Sequence, residues 1–284
     1  MKTKEEHGHI KNHKDDQDKM NHSDFQLTVL GARGSMPVCR ADSIIFGGNT
    51  SCYMVKAGDE TVFLDAGTGL INAPVLTCMP PVILLSHLHL DHVLGLGMYP
   101  RLTRNGMKTK IYISADTLDQ GRELLNRLYG PPYWPVYLED YAGQPELHIM
   151  PAHMQLGDLT IESLKGNHPG ESLIFRLQYH GKKIVYATDY EYDDSSFDRL
   201  AEFCTNAELL LYDAQFTENE SRHRKGFGHS TPEKGIELME RAKVKQLLLI
   251  HHDPQSTDNT LKERERELKK KGVSFAREGE TINL

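Results

Sequence analysis

The sequence predicts an α/β protein, and three observations carry that prediction. Apolar runs of strand length recur, at residues 82–85, 209–212 and 246–250. Between such runs lie segments with apolar residues at helical spacing, among them residues 117–129 and 233–242. Histidine or aspartate closes the runs, at His87, Asp189, Asp213 and His251. Loops at strand ends are where a rigid sheet displays its working residues.

The elements follow in chain order. Residues 1–24 are polar and charged, with too little apolar surface to offset the entropy of ordering, and read as a disordered tail. His7, His9, His13 and His22 belong to that tail, and no role is assigned to them. A single folded domain is expected over residues 25–284. Residues 25–32 read as a strand leading into a turn-rich loop. After Gly47-Gly48-Asn49-Thr50, residues 51–56 and 61–64 read as strands joined at Gly58-Asp59. Asp65 closes the second of them, as a turn former or as a supporting hydrogen-bond partner of a nearby site. Residues 93–102 read as a short helix, 110–114 as a strand and 117–129 as a better helix. The stretch Gly130-Pro-Pro-Tyr-Trp-Pro-Val136 is excluded from regular structure by its prolines. Its Tyr133 and Trp134 either cover the core or wall a pocket where they stack on a ring. Residues 146–189 read as short strands, including a hairpin across His180-Gly181, and residues 195–205 as a helix. Ser230-Thr-Pro-Glu233 has the form of a capping box with proline in the first turn, opening a helix to Ala242. A solvated helix over 260–271 and a last edge strand over 273–276 end the chain.

Composition narrows the function classes. With 38% hydrophobic and 26% charged residues, the chain is that of a water-soluble globular protein. It contains no apolar stretch long enough to span a membrane and no apolar segment of a secretory signal at its start. Cys39, Cys52, Cys78 and Cys204 show no paired spacing, which predicts reduced thiols and a cytoplasmic location. The net charge of −7 opposes broad, non-specific binding to nucleic acid. A small phosphorylated substrate remains compatible, because bound metal inverts the sign of the field locally.

The chemistry is concentrated in residues 81–95, where the run ending at Leu85 is followed by His87, His89, Asp91 and His92. In extended chain His87 and His89 project to the same side, because side chains alternate with period two. A helix starting near Asp91 delivers the other two groups from a second direction. Three imidazoles and a carboxylate brought together are costly to bury without partners, and a divalent metal is the natural partner. The other reading is a polar loop of separately satisfied histidines.

The segments Phe63-Leu-Asp-Ala-Gly67, Ser86-His-Leu-His-Leu-Asp-His92, the isolated His168, Ala187-Thr-Asp189 and His251 after an apolar strand resemble the metallo-β-lactamase-fold hydrolases. The resemblance spans nearly all of residues 25–254 and implies a four-layer αββα sandwich of two mixed sheets. It implies that His87, His89 and His168 hold one metal, that Asp91, His92 and His251 hold a second, and that Asp189 bridges them. His252, beside His251, is the alternative the strand-then-His pattern disfavours. Two divalent ions are therefore expected, zinc first, with manganese or iron also compatible with these donors.

Asp189 stands where β-lactamases of this fold carry cysteine, which turns the resemblance away from antibiotic hydrolysis. Glyoxalase II-type thioesterases share the ligands but lack a segment like Gly228-His-Ser-Thr231. With Leu211-Tyr-Asp-Ala-Gln-Phe216, that segment is similar to the phosphodiesterase branch containing tRNase Z and cyclic-phosphate phosphodiesterases. That branch implies that Asp213 pairs with His229, which is expected either to protonate the leaving oxygen or to stabilise the phosphorane oxygens, and Asp91 is expected to orient the attacking hydroxide in addition to its ligand role. The tRNA-gripping arm of tRNase Z has no room between His168 and Asp189. The expected function is hydrolysis of a small or cyclic phosphodiester, of cyclic-nucleotide or ribose-phosphate type, by a protein for which a homodimer is an option and no extended nucleic-acid surface is expected. The alternatives are a thioester or lactone hydrolase, a redox di-iron protein, and a non-catalytic module of the same fold.

Overall fold

The computed structural model describes residues 24–74, 80–268 and 270–284. Apart from Asp24, the tail expected over residues 1–24 lies outside the described residues, as does Cys78.

Strands β1 (Phe25–Gly31), β2 (Cys52–Ala57) and β3 (Glu60–Leu64) pair antiparallel, and β4 (Val82–Leu84), β5 (Lys110–Ile113) and β6 (Glu146–Ile149) extend them in parallel. Two helices belong to this half, α1 (Leu90–Val93) and α2 (Leu118–Leu128). A second sheet starts with β7 (His153–Leu156), β8 (Leu159–Lys165), β9 (Leu173–Tyr179) and β10 (Lys182–Ala187), all antiparallel. It continues in parallel through β11 (Leu209–Asp213), β12 (Gln246–Ile250) and β13 (Val273–Phe275). Helices α3 (Asp194–Cys204), α4 (Glu218–His223), α5 (Pro232–Ala242) and α6 (Asp258–Leu268) connect these strands. A last strand, β14 (Thr281–Asn283), returns to pair antiparallel with β1. Each sheet thus has seven strands, in the orders β14-β1-β2-β3-β4-β5-β6 and β13-β12-β11-β10-β9-β8-β7.

The side-chain period of two sorts these strands into layers. Leu209 and Leu211 of β11 join Leu27, Val55, Leu84, Phe175 and Ile184 in a core between the sheets, whereas Leu210 and Tyr212 face outward. Outward residues of the second sheet pack on Phe197 and Leu200 of α3 and Leu238 of α5. On the first sheet, Phe63, Ile83 and Ile111 face outward onto Val93, Leu125 and Tyr129. The resulting four layers are the expected αββα sandwich of two mixed sheets.

Three expectations for single elements need correction. Residues 93–102 are not one helix: α1 stops at Val93 and a single 3-10 turn, Leu96–Met98, follows. Gly95 and Gly97 lie in that stretch, and glycine lowers helix propensity. A Cβ on Gly97 would sit 2.3 Å from the Trp134 ring. The cap of α5 is Thr231, whose side chain accepts from the Lys234 amide, with Pro232 in the first turn. Ser230 is therefore one residue too early. The true capping box belongs to α4, where Thr217 and Glu220 satisfy each other's amides. The strand at 273–275 is followed by β14, so it is not the last.

Candidate metal centre

Seven strand-end or loop residues are brought to one edge of the sandwich. β4 leads into His87 and His89, and α1 starts there to supply Asp91 and His92. From the second sheet, His168 follows β8, Asp189 follows β10 and His251 follows β12. Asp189 and His251 adopt left-handed backbone conformations, with φ of 46° and 62°. That geometry ends each strand abruptly, at a cost on the order of 1 kcal/mol per residue.

Among the described residues the donor atoms form three overlapping sets that share the Asp189 carboxylate, the third being Asp189, Asp213, His229 and His251. His87, His89, His168 and Asp189 offer ligand atoms within 4.8 Å of one another, and so do Asp91, His92, Asp189 and His251. Asp189 Oδ2 lies 3.7 Å from His87 Nε2 and 3.8 Å from His168 Nε2. Its Oδ1 lies 3.1 Å from His92 Nε2 and 3.2 Å from His251 Nε2. Asp91 Oδ2 is 3.1 Å from both His92 Nε2 and His251 Nε2. Each oxygen of Asp189 therefore addresses a different set.

The fit to cations shows in which atoms are left over. His87 Nε2 and His92 Nε2 are buried without a hydrogen-bond partner. For His92 the carboxylate oxygens are near enough but poorly aligned. Orphaned, converging nitrogens of this kind suit divalent metal, and histidine with carboxylate donors is typical of zinc. Electrostatics agree. Burial lowers the pKa values of His87, His89 and His168, favouring the neutral, ligating form. Burial also opposes protonation of His92 and His251, but Asp189 and Asp91 outweigh it, raising His92 and pushing His251 to about 9. Burial opposes ionisation of Asp91 and Asp189 as well, and their histidine neighbours outweigh it, holding both below the usual carboxylate range. Cations bound there would compete with protons on these histidines, so metal loading is expected to release protons.

A surrounding shell of hydrogen bonds orients these groups. Fully buried Asp65, itself at φ 59°, accepts from His92 Nδ1 at 2.7 Å, Ser86 Oγ at 2.8 Å and Tyr186 Oη at 2.6 Å. The supporting role expected of it is thus visible. His168 Nδ1 lies 2.9 Å from the carbonyl of Gly228. Gln215 Oε1 lies 2.8 Å from His251 Nδ1, fixing that ring, and Gln215 was not singled out by sequence reasoning. Its amide has no charge, spacing or period to mark it. His252 is kept out of the centre, its Nε2 donating to the Ala276 carbonyl at 2.8 Å.

Asp213 and His229 adjoin the same centre. His229 Nδ1 is 2.8 Å from Asp213 Oδ2 and 3.9 Å from Asp189 Oδ2, with its ring stacked on His251. Asp213 Oδ1 accepts from the amides of Gln215 and Ser230, which locks the carboxylate. Two clefts flank the centre: one of about 210 Å³ lined by His229, the other of about 600 Å³ lined by His87 and His89. Tyr133 and Trp134 line neither. Trp134 packs on Tyr129 and donates to Tyr141 Oη at 2.7 Å, and Tyr133 is exposed. Of the two roles left open for Trp134, core covering is the one its contacts with Tyr129 and Tyr141 support.

Comparison with known proteins agrees with this architecture. Residues 60–252 match the family described as "Beta-lactamase superfamily domain", more than half of the chain. Ribonuclease Z of Pyrococcus horikoshii is 25% identical over 290 aligned residues, covering 84% of this chain and 90% of its own. The metallo-beta-lactamase fold protein YhfI of Bacillus subtilis superposes with a TM-score of 0.70 at 22% identity, covering 91% of this chain and 98% of its own. A diphosphatase of the PhnP family gives 0.69 at 20% identity, covering 92% and 98%. From the family match and the His/Asp centre on a two-sheet sandwich, the chain belongs to the beta-lactamase superfamily domain family and is a hydrolase of the metallo-β-lactamase fold.

Proposed function

We propose that the chain hydrolyses a small or cyclic phosphodiester, of cyclic-nucleotide or ribose-phosphate type, at a centre for two divalent ions, zinc in the first place. The observation that carries this reading is the Asp213–His229 pair beside the two ligand sets, with its 2.8 Å contact. Relatives named ribonuclease Z and a fold neighbour named a diphosphatase support phosphate chemistry. Between His168 and Asp189 the chain spends its residues on the β9–β10 hairpin, which supports a small substrate over a gripped RNA. Three free thiols, Cys39, Cys52 and Cys204, support a reducing, cytoplasmic setting.

His87, His89 and His168 would hold one ion, Asp91, His92 and His251 the other, with Asp189 shared. Bound there, the ions supply an activated water and neutralise charge on the phosphoryl oxygens. The protein's own part is placement and proton transfer. Asp213 fixes the His229 ring through Nδ1, leaving Nε2 with no protein partner among the described residues. From Nε2 a proton passes to the departing ester oxygen as its bond to phosphorus breaks. Asp91, which accepts from the Ser35 amide at 2.7 Å, is held to orient the incoming water.

The dependence on leaving group tests this. General acid help matters for alkoxide leaving groups and little for nitrophenolate, so His229→Ala is expected to cost about 10²–10⁴-fold on a cyclic nucleotide. On bis-(p-nitrophenyl) phosphate the loss should be far smaller. Equal losses on both would remove His229 from proton transfer, and activity on thioesters or lactones alone would remove the phosphodiester reading itself.

A further inference from the structure

Asp65 stands behind histidines of both cation sets, and the donors on it are unevenly spread. Its Oδ1 accepts from the Ser86 amide at 2.6 Å. Its Oδ2 takes three donors at once: His92 Nδ1 at 2.7 Å, Ser86 Oγ at 2.8 Å and Tyr186 Oη at 2.6 Å. Ser86 Oγ gives its proton to Asp65 and lies 3.0 Å from His87 Nδ1, from which it accepts. Asp65 therefore supports His92 directly and His87 through one hydroxyl. Both rings are left with Nε2 free for a cation, in keeping with the two orphaned nitrogens. Tyr186 reaches this carboxylate from the other sheet. It lies near the end of β10, fully buried between the sheets with the Tyr53 ring 5.3 Å away, whereas Asp65 directly follows β3. Two residues on, and on the same side by strand alternation, Thr188 Oγ donates to Asp189 Oδ1 at 2.6 Å. The inner side of β10 thus ends in two hydroxyls, each acting on a carboxylate of the centre.

A histidine binds metal more strongly when its other nitrogen donates to a carboxylate, which makes the ring more basic. A further donor on the same carboxylate oxygen competes for that charge. The Tyr186 hydroxyl is a strong competitor, because its bond is short, charge-assisted and made in a dry core. Loss of placement would act in the opposite sense, since a loosened Asp65 would weaken the metal. Without Tyr186, however, Asp65 keeps the Ser86 amide, the Ser86 hydroxyl and His92. Three donors still fix it, so the competition for charge decides the sign. We infer that Tyr186 is a positioning residue that sets how tightly Asp91, His92, Asp189 and His251 hold their cation, and that its hydroxyl lowers this affinity. This role rests on the two-ion reading and goes beyond it, and it does not depend on the substrate. A cation that receives less from His92 keeps more of its charge for the reacting oxygens.

Tyr186→Phe removes the hydroxyl and keeps the ring, which makes it the test. Zinc affinity is measured by competition with a chromophoric chelator in two backgrounds. His87→Ala cripples the set built on His87, His89 and His168, and His251→Ala cripples the other. In the His87→Ala background, Tyr186→Phe is expected to tighten zinc about three- to tenfold, and Asp65→Asn to loosen it about 10–100-fold. In the His251→Ala background, Tyr186→Phe should change zinc affinity by less than about twofold. Unchanged or weaker zinc in the first background, or an equal change in both, overturns the role. Should either background fail to fold or to bind, the His92 Nδ1 proton gives the decision. It is read by NMR in the zinc-loaded chain with 15N-labelled histidine and identified by its absence in His92→Gln. A downfield move in Tyr186→Phe, as its bond to Asp65 strengthens, supports the role; an unmoved or upfield proton overturns it. A chain that holds no zinc at all fails the two-ion reading. The same proton in the metal-free chain then decides the part of Tyr186 alone, by the same shift.

Discussion

His251 and His252 are neighbours in sequence with opposite electrostatics. His251 sits among carboxylates and is pushed up to about 9, whereas His252 is pulled down to about 3 by burial, with Arg33 and Arg264 adding to the effect. The sign of the His252 contribution follows from linkage. Its folded pKa lies below the unfolded value near 6.5, so its neutral burial is without cost above that pH. As pH falls from about 6.5 toward 3, the unfolded chain takes up a proton that the folded one refuses, and stability is lost at up to about 1.4 kcal/mol per pH unit. His252→Gln, which keeps a donor for the Ala276 carbonyl, is expected to flatten the acid limb of stability against pH. Urea unfolding of both proteins from pH 7 to pH 4 measures it, and parallel curves would refute the assignment. At this scale the sequence was informative where chemistry is unusual. His87, His89, Asp91 and His92 announce themselves by density, and the strand-then-His pattern favours His251 over His252. Gln215 and Glu191 stayed hidden because each acts through neutral or backbone partners far away in the chain.

Glu191 shows what the connecting elements do. Its carboxylate takes the amides of Gly226 and Gly228 at 2.8–2.9 Å, its own amide donates to the Asn167 carbonyl at 2.8 Å, and the Asn167 side chain donates back at 3.0 Å. One short segment therefore ties the loop of His168 to the loop of His229. Gly228 completes the knot: at φ 88° it brings its backbone so near that a Cβ would lie 1.9 Å from His168 Nδ1. Removing the clamp should misplace His229 more than the metals, since His87, His89, Asp189 and His251 are held by other contacts. Glu191→Ala is expected to retain its metal content and lose about tenfold or more in kcat on a cyclic nucleotide, with little loss on bis-(p-nitrophenyl) phosphate. Glu191→Gln should recover part of it. Equal loss on the two substrates would mean a general structural defect instead. α2, with its apolar face, was legible from period, and α5 from its capping signal and first-turn proline. α4 buries none of its residues and β14 is three residues long, so neither leaves a periodic trace.

Across the whole molecule, the ligand sets draw on both sheets. His87 and His89 come from the loop after β4 and Asp91 and His92 from α1, while His168, Asp189 and His251 follow strands of the second sheet. Bound ions therefore act as rivets between the sheets as well as reagents. At free metal about 1,000-fold above its dissociation constant, a site stabilises the folded state by about 4 kcal/mol. Chelation is expected to lower Tm by roughly 10 °C, and zinc should restore it; a Tm indifferent to chelator would refute a metal-bridged sandwich. The α/β class was readable because apolar strands with polar ends repeat, and the four layers were implied by the family resemblance; sheet order was not readable, since hydrogen bonding between distant strands leaves no local pattern. The pairing of β1 with β14 is the extreme case, joining Thr28 to Thr281 across 253 positions. During synthesis β1 leaves the ribosome long before its edge partner exists, and His251 likewise follows His87 by more than half the chain. The nascent first sheet must wait with an open edge until residues 281–283 are made, and although the His87, His89, His168 and Asp189 set is complete by Asp189, the second set waits for His251.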